Sequence, residues 1–339
     1  MSRYIHTESK FGSFKTIILK DTLSGSSTEI ALKGATLLNF FIPLKNKLFN
    51  IIDGYQTPKE LEEQSGARSC IMAPFSNRIE DGFYEFDDTQ HQLYNPVNPQ
   101  REAIHGFARV IDFEVKKIIT DEHKAELILF TNKIRKDVFK GYPYAVDIEV
   151  KFVMKDNELH VDITGHNKGS EAAPFGCGWH PYFKTSEEGI DHLVLTVPAS
   201  KVVMVDEKLI PLGGEDAYSS ISEVPEADFR PSKDIYQNTI GDREVNYCYA
   251  ELQPEKDGLI RSSIRDPKNG LKITVFQKGG VFYAYSADEV RYRPRKSIAL
   301  EPVQYMTNSY NRPELKDKIT LQPGCSVTFS FGVTTEVQK

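Results

Sequence analysis

Apolar and polar residues alternate along this chain with a period of two, and that pattern excludes most helical architectures. Val146-Asp147-Ile148-Glu149-Val150-Lys151-Phe152 switches between apolar and charged at every step. Successive side chains of an extended strand point to opposite faces, so such a segment buries one face and wets the other. Asp156-Asn157 then offers a turn, and Leu159-His160-Val161-Asp162-Ile163 resumes the alternation, which predicts an antiparallel hairpin. Leu271-Lys272-Ile273-Thr274-Val275 and Val281-Phe282-Tyr283, separated by Gly279-Gly280, predict a second hairpin. Val327-Thr328-Phe329-Ser330-Phe331-Gly332-Val333 alternates again near the C-terminus.

Helical signals are few. Thr57-Pro58-Lys59-Glu60 supplies an N-cap, a proline at the first helical position and a glutamate three residues after the cap, with Gly66 placed to stop a short helix. No βαβ rhythm appears, which disfavours a doubly wound sheet. The expectation is an all-β fold: one large antiparallel β-sandwich with few short helices, as a single domain over residues 1–339. Residues 213–246, rich in Gly, Ser, Pro and acids, predict a long loop, and loops of that length are often functional or mobile.

The formal net charge of −6 argues against a nucleic-acid partner, which calls for a basic stripe. No apolar run approaches a membrane span, and no secretory h-region follows the first residues. Cys70, Cys177, Cys248 and Cys325 are widely spaced, with no Cys-x-x-Cys pair, so they read as reduced, mostly core thiols rather than disulfides or zinc ligands. The expected setting is cytoplasmic. No His-Glu-x-x-His, phosphate-cradling loop, dinucleotide fingerprint or Gly-x-Ser-x-Gly elbow is present, so neither metal nor cofactor is expected. The expected assembly is a monomer or weak homodimer, with no coiled-coil or self-complementary helix pattern to fix it.

Three short stretches place proton-handling groups in apolar or turn-forming frames. In Gly176-Cys177-Gly178-Trp179-His180-Pro181-Tyr182-Phe183, the proline biases His180 towards extended backbone and the aromatics can hold its imidazole half-desolvated. The alternative is a structural histidine satisfying a buried carbonyl. His105 precedes Gly106, which permits close backbone approach, and Arg109 lies four residues on, the same face of an extended chain. The alternative is a loop histidine with a surface arginine. Glu301 ends the apolar run Ser297-Ile298-Ala299-Leu300 and is followed by Pro302; burial there would raise its pKa, whereas a strand-end surface glutamate would be inert. Gln304, Asn308 and Asn311 follow as candidate hydrogen-bonding groups for hydroxyls, and Arg78 in Asn77-Arg78-Ile79 offers a planar fork to several oxygens or, alternatively, a surface ion pair. Two imidazoles and one carboxylate suffice for general acid–base chemistry on a small polar substrate.

Taken in order, Asn77-Arg78-Ile79, His105-Gly106, His180-Pro181-Tyr182-Phe183 and Glu301-Pro302 resemble the aldose 1-epimerase (mutarotase) family, from about Ala73 to Asn311. The resemblance implies a galactose mutarotase-like β-supersandwich, a small-molecule sugar substrate and interconversion of the α and β anomers of a free aldose. It implies Glu301 as catalytic base, His180 as acid, His105 as the second active-site histidine and Arg78 as a binder of sugar hydroxyls. Asn77, Tyr182 and Gln304 join the expected substrate-binding set. Asn246, in Val245-Asn246-Tyr247-Cys248-Tyr249, stands where the family often has an aspartate, keeping hydrogen-bonding capacity but not charge. The string His105-Gly106-Phe107-Ala108-Arg109 resembles the hexose-6-phosphate branch, and a non-catalytic carbohydrate-binding protein on the same scaffold is a further alternative.

Overall fold

The computed structural model describes residues 2–234 and 236–338. Three antiparallel sheets carry the fold. Tyr4–Phe11, Phe14–Asp21, Ser27–Ala31, Thr36–Leu44 and Lys47–Asn50 form a five-stranded meander in chain order. An eight-stranded sheet runs Val194–Thr196, Ile260–Arg265, Leu271–Gln277, Ser326–Val337, Glu158–Asn167, Val146–Lys155, Ala125–Ile134, Glu114–Thr120. A second runs Tyr218–Ser220, Ala199–Val203, Asn246–Leu252, Val281–Tyr285, Ile298–Val303, Gly178–Trp179, Ile71–Met72, with Tyr182–Phe183 paired beside Ile298–Val303. This is the all-β antiparallel sandwich that the alternation predicts.

The pattern is realised residue by residue in the first expected hairpin. Val146–Lys155 alternates buried and half-buried positions and pairs with Glu158–Asn167 in register from Val146↔Asn167 to Lys155↔Glu158. Asp156, with φ of 52°, makes the turn. On the wet face Lys151 lies directly opposite Asp162, 2.6 Å away, a cross-strand charge pair. The buried faces of the two large sheets meet in one apolar core. At its centre Trp179 of one sheet stacks on Phe331 of the other, ring centroids 5.6 Å apart. Trp179 also donates from Nε1 to the Ser69 carbonyl, so its polar edge is satisfied inside the core.

Three expectations need correction. Leu271–Gln277 and Val281–Tyr285 are strands but not a hairpin. The first pairs with Ile260–Arg265 and Ser326–Val337, the second with Asn246–Leu252 and Ile298–Val303. Gly279 and Gly280, both at positive φ, carry the chain between sheets, and Gly280 packs where a Cβ would lie 2.3 Å from the Val303 carbonyl. The short helix Pro58–Glu63 forms with Thr57 Oγ1 accepting from the Glu60 amide, but Gln64 in the left-handed region ends it rather than Gly66. Between 213 and 246 the described residues include packed and hydrogen-bonded elements rather than one open loop. Short 3-10 turns at Gly214–Ala217, Ile221–Glu223 and Pro225–Ala227 flank a strand, Phe229 is buried, and Asn238 Nδ2 donates to the Leu195 and Arg230 carbonyls. All four cysteines are unpaired; Cys70, Cys177 and Cys248 are buried and Cys325 is exposed. No helix among the described residues is long and apolar enough to cross a membrane.

Candidate active site

Strand register brings the carboxylate and one imidazole together. Glu301 sits in Ile298–Val303, a strand buried along its whole length. Gly178 pairs with Val303 and Tyr182 with Ala299 on the same edge of that strand. Antiparallel counting between those two pairs puts residue 180 opposite residue 301, and His180 Nε2 lies 3.3 Å from Glu301 Oε1. The His180 backbone is held at both ends of its peptide: its amide donates to the Cys70 carbonyl and its carbonyl accepts from the Ser69 amide. On the other edge Tyr283 is directly opposite Glu301, and Tyr285, two residues along, shares its face.

His105 arrives by a tight backbone device. His105 and Gly106 both take positive φ, 61° and 63°. A Cβ on Gly106 would lie 2.1 Å from the Ala73 carbonyl oxygen, so only glycine fits that crossing. The turn leaves the His105 ring edge-on to His180, centroids 5.0 Å apart. Asn77 also has a positive φ, which asparagine tolerates better than most residues, and the His105 amide donates to its carbonyl. The Asn77 side-chain oxygen accepts from the Arg78 amide at 2.8 Å, and Arg78 Nε donates to Glu102 at 2.9 Å. The Asn-Arg and His-Gly pairs thus share one knot of backbone that aims two side chains inward.

These residues line one cavity of about 920 Å³. Its wall contains Glu301, His180, His105, Arg78, Asn77, Tyr182 and Asn246, every expected site residue except Gln304. Gln304 is three positions beyond Glu301, an odd offset that turns its side chain to the other face. There it accepts from Cys177 Sγ at 3.5 Å. Asn308 and Asn311 are also absent from the wall. Asn308 accepts from the Glu80 amide, and Asn311 donates to the Phe83 carbonyl and to Asn308, so both buttress a turn. None of the described residues between 213 and 245 lines the cavity. Arg109 does share the cavity with His105, although through a 3-10 turn, Ala108–Val110, rather than an extended chain.

A family model described as aldose 1-epimerase matches residues 15–334. The chain belongs to the aldose 1-epimerase family. Two Escherichia coli K12 proteins are distant relatives. The uncharacterized protein YihR is 23% identical over 71% of this chain and 71% of its own length, and the uncharacterized protein YphB is 24% identical over 79% and 84%. Among solved structures, a GalM/aldose epimerase homologue from C. elegans superposes with a TM-score of 0.78 at 18% identity, covering all of both chains. A galactose 1-epimerase from Lactobacillus acidophilus gives 0.79 at 16% identity, again over all of both chains. At such identities these structures establish a shared fold.

Within this family member the electrostatics of the central pair follow from burial. Desolvation raises the Glu301 carboxyl from its ordinary value to about 8, against a counter-pull from the Arg78 guanidinium. Burial, with the Arg68 and Arg109 guanidiniums, lowers His180 to about 3. Burial also holds His105 well below its ordinary value, with His180, Arg109 and Arg78 adding to it. The resemblance implies a basic Glu301 facing an acidic His180; burial instead favours the protonated carboxyl and the neutral form of both rings. Removing water costs each charged form more than a single opposite charge returns.

Sequence reasoning missed Tyr283 and Tyr285 as cavity wall. Their alternation in Val281-Phe282-Tyr283-Ala284-Tyr285 shows a shared face, but only the pairing with Glu301 says which face is the site. It also missed Arg68, fully buried behind Tyr182, for which no local pattern gives a signal. Among the described residues no cluster of three or more His, Cys, Asp or Glu side chains is arranged to hold a metal ion.

Proposed function

We propose that this cavity interconverts the α and β anomers of an aldose, with Glu301 as base and His180 as acid. The 3.3 Å contact between Glu301 and His180 inside a cavity large enough for a pyranose carries the reading. Mutarotation moves one proton off the anomeric hydroxyl and one onto the ring oxygen, then reverses both. A pair that holds one proton between two sites can do this without net exchange with water. Sugar hydroxyls donating to Glu301, together with Arg78, favour its carboxylate and send the proton to His180 Nε2. Glu301 then takes the anomeric proton while His180 protonates the ring oxygen, and the C1–O5 bond opens to the aldehyde. Rotation about C1–C2 presents the other face, and closure returns both protons. His105 and Arg78 stabilise charge on the carbonyl oxygen. Tyr182, Tyr283 and Tyr285 provide flat walls for the ring, and Asn77 and Asn246 offer hydrogen bonds at its edge.

A second reading of the substrate rests on Arg109. Its guanidinium is 4% exposed, its Nε has no hydrogen-bond partner, and its contact through Nη2 is a 3.4 Å bond to Asn95. A buried guanidinium with no ion pair among the described residues favours a sugar that brings its own anion, as a hexose phosphate does. Polarimetry or exchange NMR on freshly dissolved, anomerically pure glucose, galactose and glucose 6-phosphate tests both readings. Acceleration of a neutral aldose supports the first, and acceleration confined to the phosphorylated sugar supports the second. Saturable sugar binding with no acceleration of any sugar would leave a binding protein on this scaffold and refute catalysis.

A further inference from the structure

Behind the aromatic wall of the cavity lies an ionic cluster whose inner pair, Arg68 and Asp53, is buried. Arg68 is 1% exposed. Its Nη1 donates to Asp53 Oδ2 at 2.6 Å and to the Asp53 carbonyl at 2.9 Å, and its Nη2 donates to the Tyr292 carbonyl at 2.8 Å. Asp53 is fixed in turn by Ser297 Oγ at 2.7 Å and Arg293 Nε at 3.1 Å. Arg293 continues the cluster to Glu60. A buried, hydrogen-bonded ion pair of this kind adds little to stability over an apolar substitute, which raises the question of what it positions.

The answer lies in what the guanidinium covers. Its carbon sits 4.6 Å from the centroid of the Tyr182 ring. The Tyr182 ring is stacked on the His180 imidazole, centroids 5.1 Å apart and planes 24° from parallel. We propose that Arg68 is a positioning residue for the proton-transfer pair: anchored by Asp53 and the Tyr292 carbonyl, it fixes the Tyr182 ring that sets the plane of the His180 imidazole. Only a planar, multiply donating cation can cover the ring and hold both oxygens at once. The arrangement aims His180 Nε2 at Glu301 without touching substrate. The charged and titratable groups around His180 are Glu301 on the neighbouring strand, His105 from its turn, Tyr182 on its own segment, and the Arg68 and Arg109 guanidiniums. The Arg68 charge opposes protonation of the imidazole, which helps keep the resting proton on the carboxyl.

This inference rests on the assignment of His180 to proton transfer, and the test separates the two. Nitrogen-15 spectra of the His180 ring, followed against pH without sugar, need no activity at all. In Arg68→Gln, which keeps hydrogen bonding but loses the charge, the His180 titration should move up by about one pH unit, the size of effect a nearby charge exerts. In Arg68→Lys, which keeps the charge but not the plane, the titration should stay close to wild type. With an active sugar, kcat of Arg68→Lys should fall by about tenfold or more with KM changed far less, because misaimed groups lose rate before binding. A His180 titration identical in wild type and Arg68→Gln, or an unaltered kcat in Arg68→Lys, overturns the proposal. If Arg68→Gln does not fold, the Arg68→Lys kcat decides alone. If wild type turns over no sugar, the proposed function fails while the ring spectra still judge Arg68.

Discussion

Replacing Glu301 with glutamine should remove the activity and stabilise the protein. The two effects have one cause. Glu301 is buried and its carboxyl is raised from 4.5 to about 8. In the unfolded chain the same group ionises near its ordinary value, so above 4.5 the folded state binds the extra proton. Stability must then fall as pH rises from 4.5 towards 8, because the native state holds more protons than the unfolded one. Between 4.5 and neutrality the penalty is about 1.4 kcal/mol per pH unit, or on the order of 3 kcal/mol at pH 7. Glutamine is nearly isosteric and cannot ionise, so Glu301→Gln escapes that penalty. Urea melts of both proteins should nearly coincide at pH 4.5 and separate progressively up to pH 8, with the variant the more stable. Polarimetry on the same samples should show a rate loss of about 10²-fold or more, the usual contribution of a positioned base. A variant that mutarotates at near-normal rate refutes the catalytic role. A stability difference that does not change with pH refutes the electrostatic account of the buried carboxyl.

Two further outcomes follow from the same geometry. The activity of wild type should fall as pH is raised through about 8, where the pair loses its single proton, and a pH profile of kcat/KM that stays flat to pH 10 would contradict a one-proton pair. Gly106→Ala should destabilise the fold by about 1–3 kcal/mol, since the new Cβ meets the Ala73 carbonyl at a left-handed φ. It should also depress activity by displacing His105, and an alanine variant with wild-type melting and rate would remove Gly106 from that role.

The legible part of the cavity wall was its proton-handling side chains. His180 and Glu301 stand out because a proline follows each and apolar residues precede or surround them. The His105-Gly106 pair carries its own explanation, since a glycine is required where one backbone crosses another at Ala73. The failures share a feature. Gln304 looked like a sugar ligand by proximity to Glu301, yet its odd offset turns it towards Cys177. Asn308 and Asn311 looked like hydroxyl binders, yet they hold a turn together. The glycine pair at 279–280 looked like a hairpin turn, yet it crosses between sheets.

Alternation alone determined that this chain makes strands and that most of them bury one face, because a period of two is a local property of extended backbone. The family motifs, read in order, added the expected chemistry. Tertiary structure decided the rest: which strand lies beside which, that residue 180 stands opposite residue 301, that Tyr283 and Tyr285 face the cavity, and that Arg68 from a distant loop sits behind Tyr182. It also decided where the proton rests, since that depends on how completely water is excluded around groups far apart in sequence. Pairing and desolvation are sums over the whole molecule, and no window of sequence contains them.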